Sequence, residues 1–321
     1  MRAFRIFFKS AGPALSSTRS EFAFTRRDFA LLAVLTVVWG LNWPVMKIGV
    51  TGFPPLAFRT LSMWLGLPVL WAVLRLRRVR LVIARRDWRQ LGLLTVTNMV
   101  VWHVLAIVAV QALPSGRAAI LGYTMPIFSA LWGVAVFGER LRPRFVVGIV
   151  AAAAGVALLL WHEFDTIAGR PWAAAGMLVA AAVWALGTQQ MRRTTIGAPT
   201  LAIVFWMTLL TALVMTAATV LFERDRWHAP SEATLASIAY NAVLIFGFAQ
   251  PIWLILARNL PPIASSMSVM LIPVLGTVSG AWWLHERLHW QDAVAIVLVL
   301  VAIASVMLPS RIRGIAALPE V

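Results

Sequence analysis

The segment His285-Glu286-Arg287-Leu288-His289 has the H-E-x-x-H spacing. On a helix, that spacing puts two histidines on one face to hold zinc, with the glutamate as general base. Taken alone it would describe an intramembrane zinc enzyme. An equivalent segment earlier in the chain, Gly138-Glu139-Arg140-Leu141-Arg142, keeps Glu-Arg-Leu and carries no histidine. The shared element is therefore a connection between helices, in which Glu139 and Glu286 cap a helix N-terminus or pair with an arginine. No third zinc ligand is evident, so neither a metal site nor a catalytic residue is expected. The chain has no cysteine, which removes thiolate ligands, thiol nucleophiles and disulfides. It has no P-loop, G-x-S-x-G or G-x-G-x-x-G, so neither ATP hydrolysis nor a cofactor is expected.

The ionisable groups are distributed tellingly. All twelve acidic residues fall in loops or at the ends of apolar runs. Intramembrane carboxylates are the usual proton relays of pumps. Their absence argues against carboxylate-driven proton antiport and against a pocket that pairs directly with cations. His103 is the only histidine well inside an apolar run. Its ordinary pKa of about 6.5 would suit a proton-linked switch, and the plainer reading is a neutral imidazole bonded between helices. Lys47 and Arg59 lie near the ends of the first two runs. A buried cation there could attract a carboxylate, but we favour snorkelling or a structural hydrogen bond.

The faces with the most recognition chemistry are uncharged. Trp39, Asn42, Trp43 and Met46 are spaced i, i+3, i+4, i+7 and share one helical face. Thr95, Asn98 and Trp102 form a second stripe, beside His103; Phe246, Gln250 and Trp253 form a third. Trp184 with Thr188, Ser265 with Ser268, and Tyr123 complete a candidate cavity for a small molecule. Ordinary packing, with polar side chains joining helices, is the competing account. Pro126 and Pro273 are read as mid-helix, each removing a backbone hydrogen bond and bending its helix near the site.

The elements that must position these residues follow from composition. Apolar residues make up 61% and charged residues 12%, against roughly 45–50% and 25% in soluble domains. A helix needs about 20 apolar residues to cross a bilayer. Ten such runs are present: Phe29–Val50, Leu56–Leu74, Leu91–Ala112, Ala118–Phe137, Phe145–Trp161, Trp172–Gln190, Thr200–Phe222, Leu235–Ala257, Ile263–Leu284 and Ala293–Leu308. The first is too long for a signal peptide and lacks a clear cleavage site, so it reads as a retained helix. The net charge of +16 comes from short basic loops, which orient helices and meet lipid headgroups; nucleic acid is not an expected partner. With the N-terminus inside, cytoplasmic segments hold 21 Lys and Arg and external ones hold 5. That imbalance places both tails, residues 1–28 and 309–321, in the cytoplasm. Trp161, Trp172, Trp227 and Trp290 sit where an interfacial belt is expected.

The halves of the chain, 29–161 and 172–308, resemble each other. At a shift of 147, Leu113-Pro114 falls on Leu260-Pro261, Pro126 on Pro273, Gly133 on Gly280, and Glu139-Arg140-Leu141 on Glu286-Arg287-Leu288; at 145, Trp39 falls on Trp184. Five helices per half is an odd number, so the second half must enter the membrane in the opposite sense. This predicts an all-α membrane protein of two inverted five-helix repeats. Trp39-Gly40-Leu41-Asn42 followed by Lys47, with Pro126…Glu139 and Pro273…Glu286, resembles the drug/metabolite transporter superfamily with two EamA-type repeats. The second half departs from the pattern at Trp184-Ala185-Leu186-Gly187, with no asparagine or matching lysine. The resemblance implies a carrier in the inner membrane, often an exporter of amino acids, related metabolites or toxic amphiphiles. Its partners are then a small-molecule substrate and the lipid bilayer. An uptake carrier or exchanger is the alternative.

Overall fold

The computed structural model describes residues 26–139, 143–165, 170–259 and 262–307, the side chains of 26–29, 144, 145, 160, 162–165, 256–259, 262–270, 306 and 307 excepted. Every regular element among the described residues is helical. In chain order these are α1 (Arg26–Val50), α2 (Pro55–Leu76), α3 (Trp88–Thr95, Val96–Val100 and Val101–Ala112 in succession), α4 (Ser115–Gly122 and Met125–Ala135) and α5 (Pro143–Asp165). They continue with α6 (Pro171–Arg192), α7 (Thr200–Phe222), α8 (Glu232–Tyr240, Asn241–Ala249 and Gln250–Asn259), α9 (Pro262–Leu284) and α10 (Trp290–Met307).

Each apolar run predicted from the sequence overlaps one of these helices. Among the described residues seven helices, α1 to α4 and α6 to α8, are long and apolar enough to cross a membrane. In α5, α9 and α10 the described apolar stretches are shorter: Val146–Leu159, Leu271–Leu284 and Trp290–Ser305. Large apolar side chains cover the outside, among them Leu65, Val150, Leu221 and Trp282. Such a surface suits lipid, and the chain is an integral, multi-pass membrane protein. Trp161, Trp172, Trp227 and Trp290 are all exposed near helix ends.

The packing has a rough two-fold pattern. Helix α1 rests on α8 and α9, as α6 rests on α3 and α4; α2 meets α8, as α7 meets α3. The pairs α2–α7, α4–α9 and α5–α10 each join a helix to the one five places on. The wide π-turns repeat too, starting at Val96 in α3 and Asn241 in α8. Such turns often mark functional segments of a helix.

The Gly133/Gly280 and Glu139/Glu286 matches have a shared cause. A Cβ on Gly133 would stand 2.6 Å from Glu139 Oε2, and one on Gly280 would stand 2.7 Å from Glu286 Oε2. The glycines leave room for the carboxylates, which then diverge. Glu286 accepts from Ser115 N (2.7 Å), Ser115 Oγ (2.9 Å) and Gly116 N (3.2 Å), capping α4. Glu139 instead pairs with Arg193. Each predicted role is filled by one of the two residues.

One expectation is corrected. Pro126 is not mid-helix: α4 breaks at Tyr123-Thr124, and Pro126 is the second residue of the new segment, where a missing N–H costs nothing. Pro273 does lie inside α9. The H-E-x-x-H segment is a connection between helices, as its sequence suggested: α9 stops at Leu284 and His285 turns left-handed (φ 53°), as Gly138 does 147 positions earlier (φ 67°). His285 and His289 therefore share no helical face, and the zinc arrangement is not formed.

Candidate functional site

A cavity with about 1010 Å³ of empty space, its mouth included, runs between α1, α2, α3, α4, α6 and α8. The predicted aromatic and amide face of α1 (Trp39, Asn42, Trp43, Met46) forms one wall. Trp102 and His103 of α3, Tyr123 of α4, Trp184 and Thr188 of α6, and Gln250 and Trp253 of α8 also line it. Pro126 and Arg59 join them. The tryptophans pack in pairs, Trp102 with Trp184 (ring centroids 4.8 Å apart) and Trp39 with Trp253 (5.4 Å), while Trp43 stands edge-on to Tyr123 (6.3 Å). Aromatic pairs of this kind contribute about 0.5–1.5 kcal/mol each beyond the area they bury.

Several candidates lie elsewhere, among them Thr95 and Phe246, which are buried off the cavity wall. Asn98 is fully buried beside the cavity and packs where Gly187 leaves space. Lys47 faces away: its Nζ donates to the carbonyls of Val110 (3.1 Å), Gln111 (2.8 Å) and Leu113 (2.9 Å), satisfying the C-terminal end of α3. That is the structural hydrogen bond the sequence suggested. Pro273 lies in α9, which contributes no described lining residue. The side chains of Ser265 and Ser268, also predicted to line the cavity, fall outside the described residues.

The sequence reading missed Met125, Ser129 and Arg192 as lining residues. Arg192 had a signal. It sits 145 positions after Lys47, the shift that sets Trp39 on Trp184. A search for a lysine passed over an arginine.

The two ends of the cavity differ. At the end formed by Met46 and Arg59, the bundle is tightly joined. Glu223, at the end of α7, accepts from the backbone N–H groups of Leu56 (3.1 Å) and Ala57 (2.8 Å) at the start of α2. Thr60 and Thr219 share a hydrogen bond of 2.8 Å, and Gln111 Nε2 donates to the Val50 and Phe53 carbonyls at 3.2 and 3.4 Å. At the other end Arg192 is exposed. The cavity is thus closed behind Arg59 and open beside Arg192.

Inside it, several buried polar atoms have no hydrogen-bond partner: Asn42 Oδ1, both ring nitrogens of His103, Thr188 Oγ1, Trp253 Nε1 and Arg59 Nε. Buried polar groups are almost always satisfied in native proteins. So many orphans on the wall of one cavity mark it as a place where a polar ligand, or water in its absence, completes the bonding. Among the described residues there is no cluster of three metal-ligating side chains.

Comparison with known proteins agrees with this arrangement. The model of the EamA-like transporter family matches residues 29–161 and again 171–308. The uncharacterized transporter YvbV of Bacillus subtilis (strain 168) is 25% identical over 307 residues, spanning 91% of this chain and 95% of the relative. A protein of Escherichia coli (strain K12) named "Probable amino-acid metabolite efflux pump" is 26% identical over 288 residues, covering 86% and 93%. A solved crystal structure superposes with a TM-score of 0.65 at 20% identity, over 88% of this chain and 98% of the other, which shows a shared fold. With two successive family matches covering nearly all of its helices, the chain belongs to the EamA-like transporter family of membrane transporters.

Proposed function

We propose that the protein is a secondary carrier that exports amino acids or related amphiphilic metabolites across the inner membrane by alternating access. The observation that carries this reading is the one-sided cavity. Its walls are aromatic pairs and orphaned polar groups, its floor is sealed by bonds between the two halves, and its mouth is at Arg192. Two inverted repeats of five helices with both tails cytoplasmic would put that mouth on the cytoplasmic side, where an exporter loads. The excess of Lys and Arg in the segments assigned to the cytoplasm supports that orientation. The two-fold packing supports the repeat. In such an architecture the halves exchange conformations, so an outward-open state of similar energy exists. The Escherichia coli relative's name supports amino-acid metabolites as cargo.

A toxicity-rescue screen tests the proposal. The protein is expressed in a sensitive host challenged with amino acids, their analogues and planar amphiphiles. Rescue by the wild type that is lost in Trp39→Ala or Asn42→Ala is the expected result. Rescue that survives both substitutions would move the pathway off this cavity, and the absence of rescue by any compound would count against export.

A further inference from the structure

The charge inside the cavity is of one sign. Arg59 is only 2% exposed, yet among the described residues it faces no carboxylate. Its guanidinium donates to Asn241 Oδ1 (3.1 Å) and, weakly, to Met46 Sδ (2.7 Å); Nε has no acceptor, and the rings of Phe246 (5.7 Å) and Phe58 (6.0 Å) flank it. Five N–H donors are thus served by one amide oxygen and one sulfur. A buried cation without a counter-ion is strongly unfavourable. The acidic residues nearby are engaged elsewhere: Glu223 on the start of α2, Glu286 on the start of α4, Asp292 with Arg117. Among the described residues no acidic side chain lines the cavity. At the mouth, Arg192 is exposed beside the Arg193–Glu139 ion pair. His103, 2% exposed and lacking any partner, faces the same space as Arg59 and can offer one further N–H.

We propose that the cavity is an anion site, and that the cargo is an amphiphile whose carboxylate is held at Arg59 and His103 while its apolar, planar body lies among Trp39, Trp102, Trp184 and Trp253. This rests on the carrier reading and narrows it: the recognised group is the acid, and an amine is dispensable. Guanidinium matches carboxylate in a planar, two-bond geometry. Arg59, buried with no carboxylate facing it, makes the closed end of the cavity attractive to anions and repellent to cations. Arg192 draws the acid in, and Arg59 receives it at the closed end.

The test uses purified full-length protein in an uncharged maltoside detergent, which removes acidic lipid as a source of anion. Four probes share one indole body: tryptophan, indole-3-propionate, tryptamine and the uncharged indole-3-ethanol. Inorganic phosphate serves as a bare anion. Because the chain has no cysteine, a single Thr188→Cys variant reports occupancy through protection from a maleimide. Tryptophan and indole-3-propionate should protect at concentrations at least about ten-fold below tryptamine and indole-3-ethanol, and phosphate should protect poorly. In Arg59→Gln that preference should vanish. Arg59→Lys, which keeps the charge but loses the fork, should retain part of it. The wild-type ranking decides the matter even if Arg59→Gln does not fold.

Equal or better protection by tryptamine, or an unchanged preference in Arg59→Gln, would overturn the anion site. So would a lack of protection by either acid. Phosphate matching the indole acids would overturn the amphiphilic cargo. The carrier reading stands or falls separately, on rescue that depends on Trp39 and Asn42.

Discussion

Replacing Glu223 tests how the closed end of the cavity is held. Leu56 and Ala57 occupy the first turn of α2, where backbone N–H groups have no partner within the helix. Both are buried, at 6% exposure each. Glu223, itself 4% exposed, supplies the acceptors from α7. Glu223→Ala leaves two buried donors unsatisfied, at about 1–3 kcal/mol each, and removes a favourable negative charge from the helix start, worth about 0.3–1 kcal/mol. The expected loss is on the order of 3–5 kcal/mol. For a chain of this size that corresponds to a fall in melting temperature of roughly 6–12 °C. Glu223→Gln should fall between, because its amide oxygen satisfies one donor while its NH₂ confronts the other. Thermal unfolding in detergent, followed by the loss of monodisperse protein, reads both variants. An alanine variant melting within about 2 °C of the wild type would refute the clamp.

Other consequences can be checked alongside. Lys47→Met should destabilise the protein by about 2–3 kcal/mol, because three carbonyls at the end of α3 lose a charged donor; the same melting assay would show it, and an unshifted melt would contradict the assignment. Gly280→Ala should disrupt the Glu286 cap on α4, lowering both melting temperature and transport, since its Cβ would meet the carboxylate at 2.7 Å; normal transport by this variant would show that the pairing is dispensable. His285→Gly should raise stability by about 1 kcal/mol, because it relieves a left-handed non-glycine residue. Export should persist in a His285→Ala/His289→Ala double variant, and its loss would revive a role for the histidines.

The apolar runs made the helices legible, because a lipid-facing helix must be apolar over its whole length. The face shared by Trp39, Asn42, Trp43 and Met46 was legible for a similar reason: α1 runs through as one continuous helix despite Pro44, so sequence spacing reports direction. Asn98 shows where that logic fails. It was grouped with Trp102 four residues on, but Val96–Val100 is a π-turn, which alters the angle between successive residues. Asn98 consequently packs beside Gly187 rather than in the cavity. The break at Tyr123-Thr124 displaced Pro126 from its expected mid-helix position in the same way. The Glu223 clamp joins residues 167 positions apart and leaves no periodic trace in the sequence. Arg59 was visible as a cation in an apolar run, but its missing counter-ion emerges only once the partners of Glu223, Glu286 and Asp292 are known.

The central claim is a cavity that faces each side of the membrane in turn. Single cysteines measure this directly in a chain that has none of its own. Thr188→Cys, mid-cavity, and Arg192→Cys, at the mouth, are labelled with a membrane-impermeant maleimide from either side of sealed vesicles. Without cargo, both should react from the cytoplasmic side only. With a rescued compound supplied, Thr188→Cys should become reactive from the outside as well, while Arg192→Cys should not. Labelling of Thr188→Cys from one side alone, unchanged by any compound that the protein exports, would contradict alternating access through this cavity.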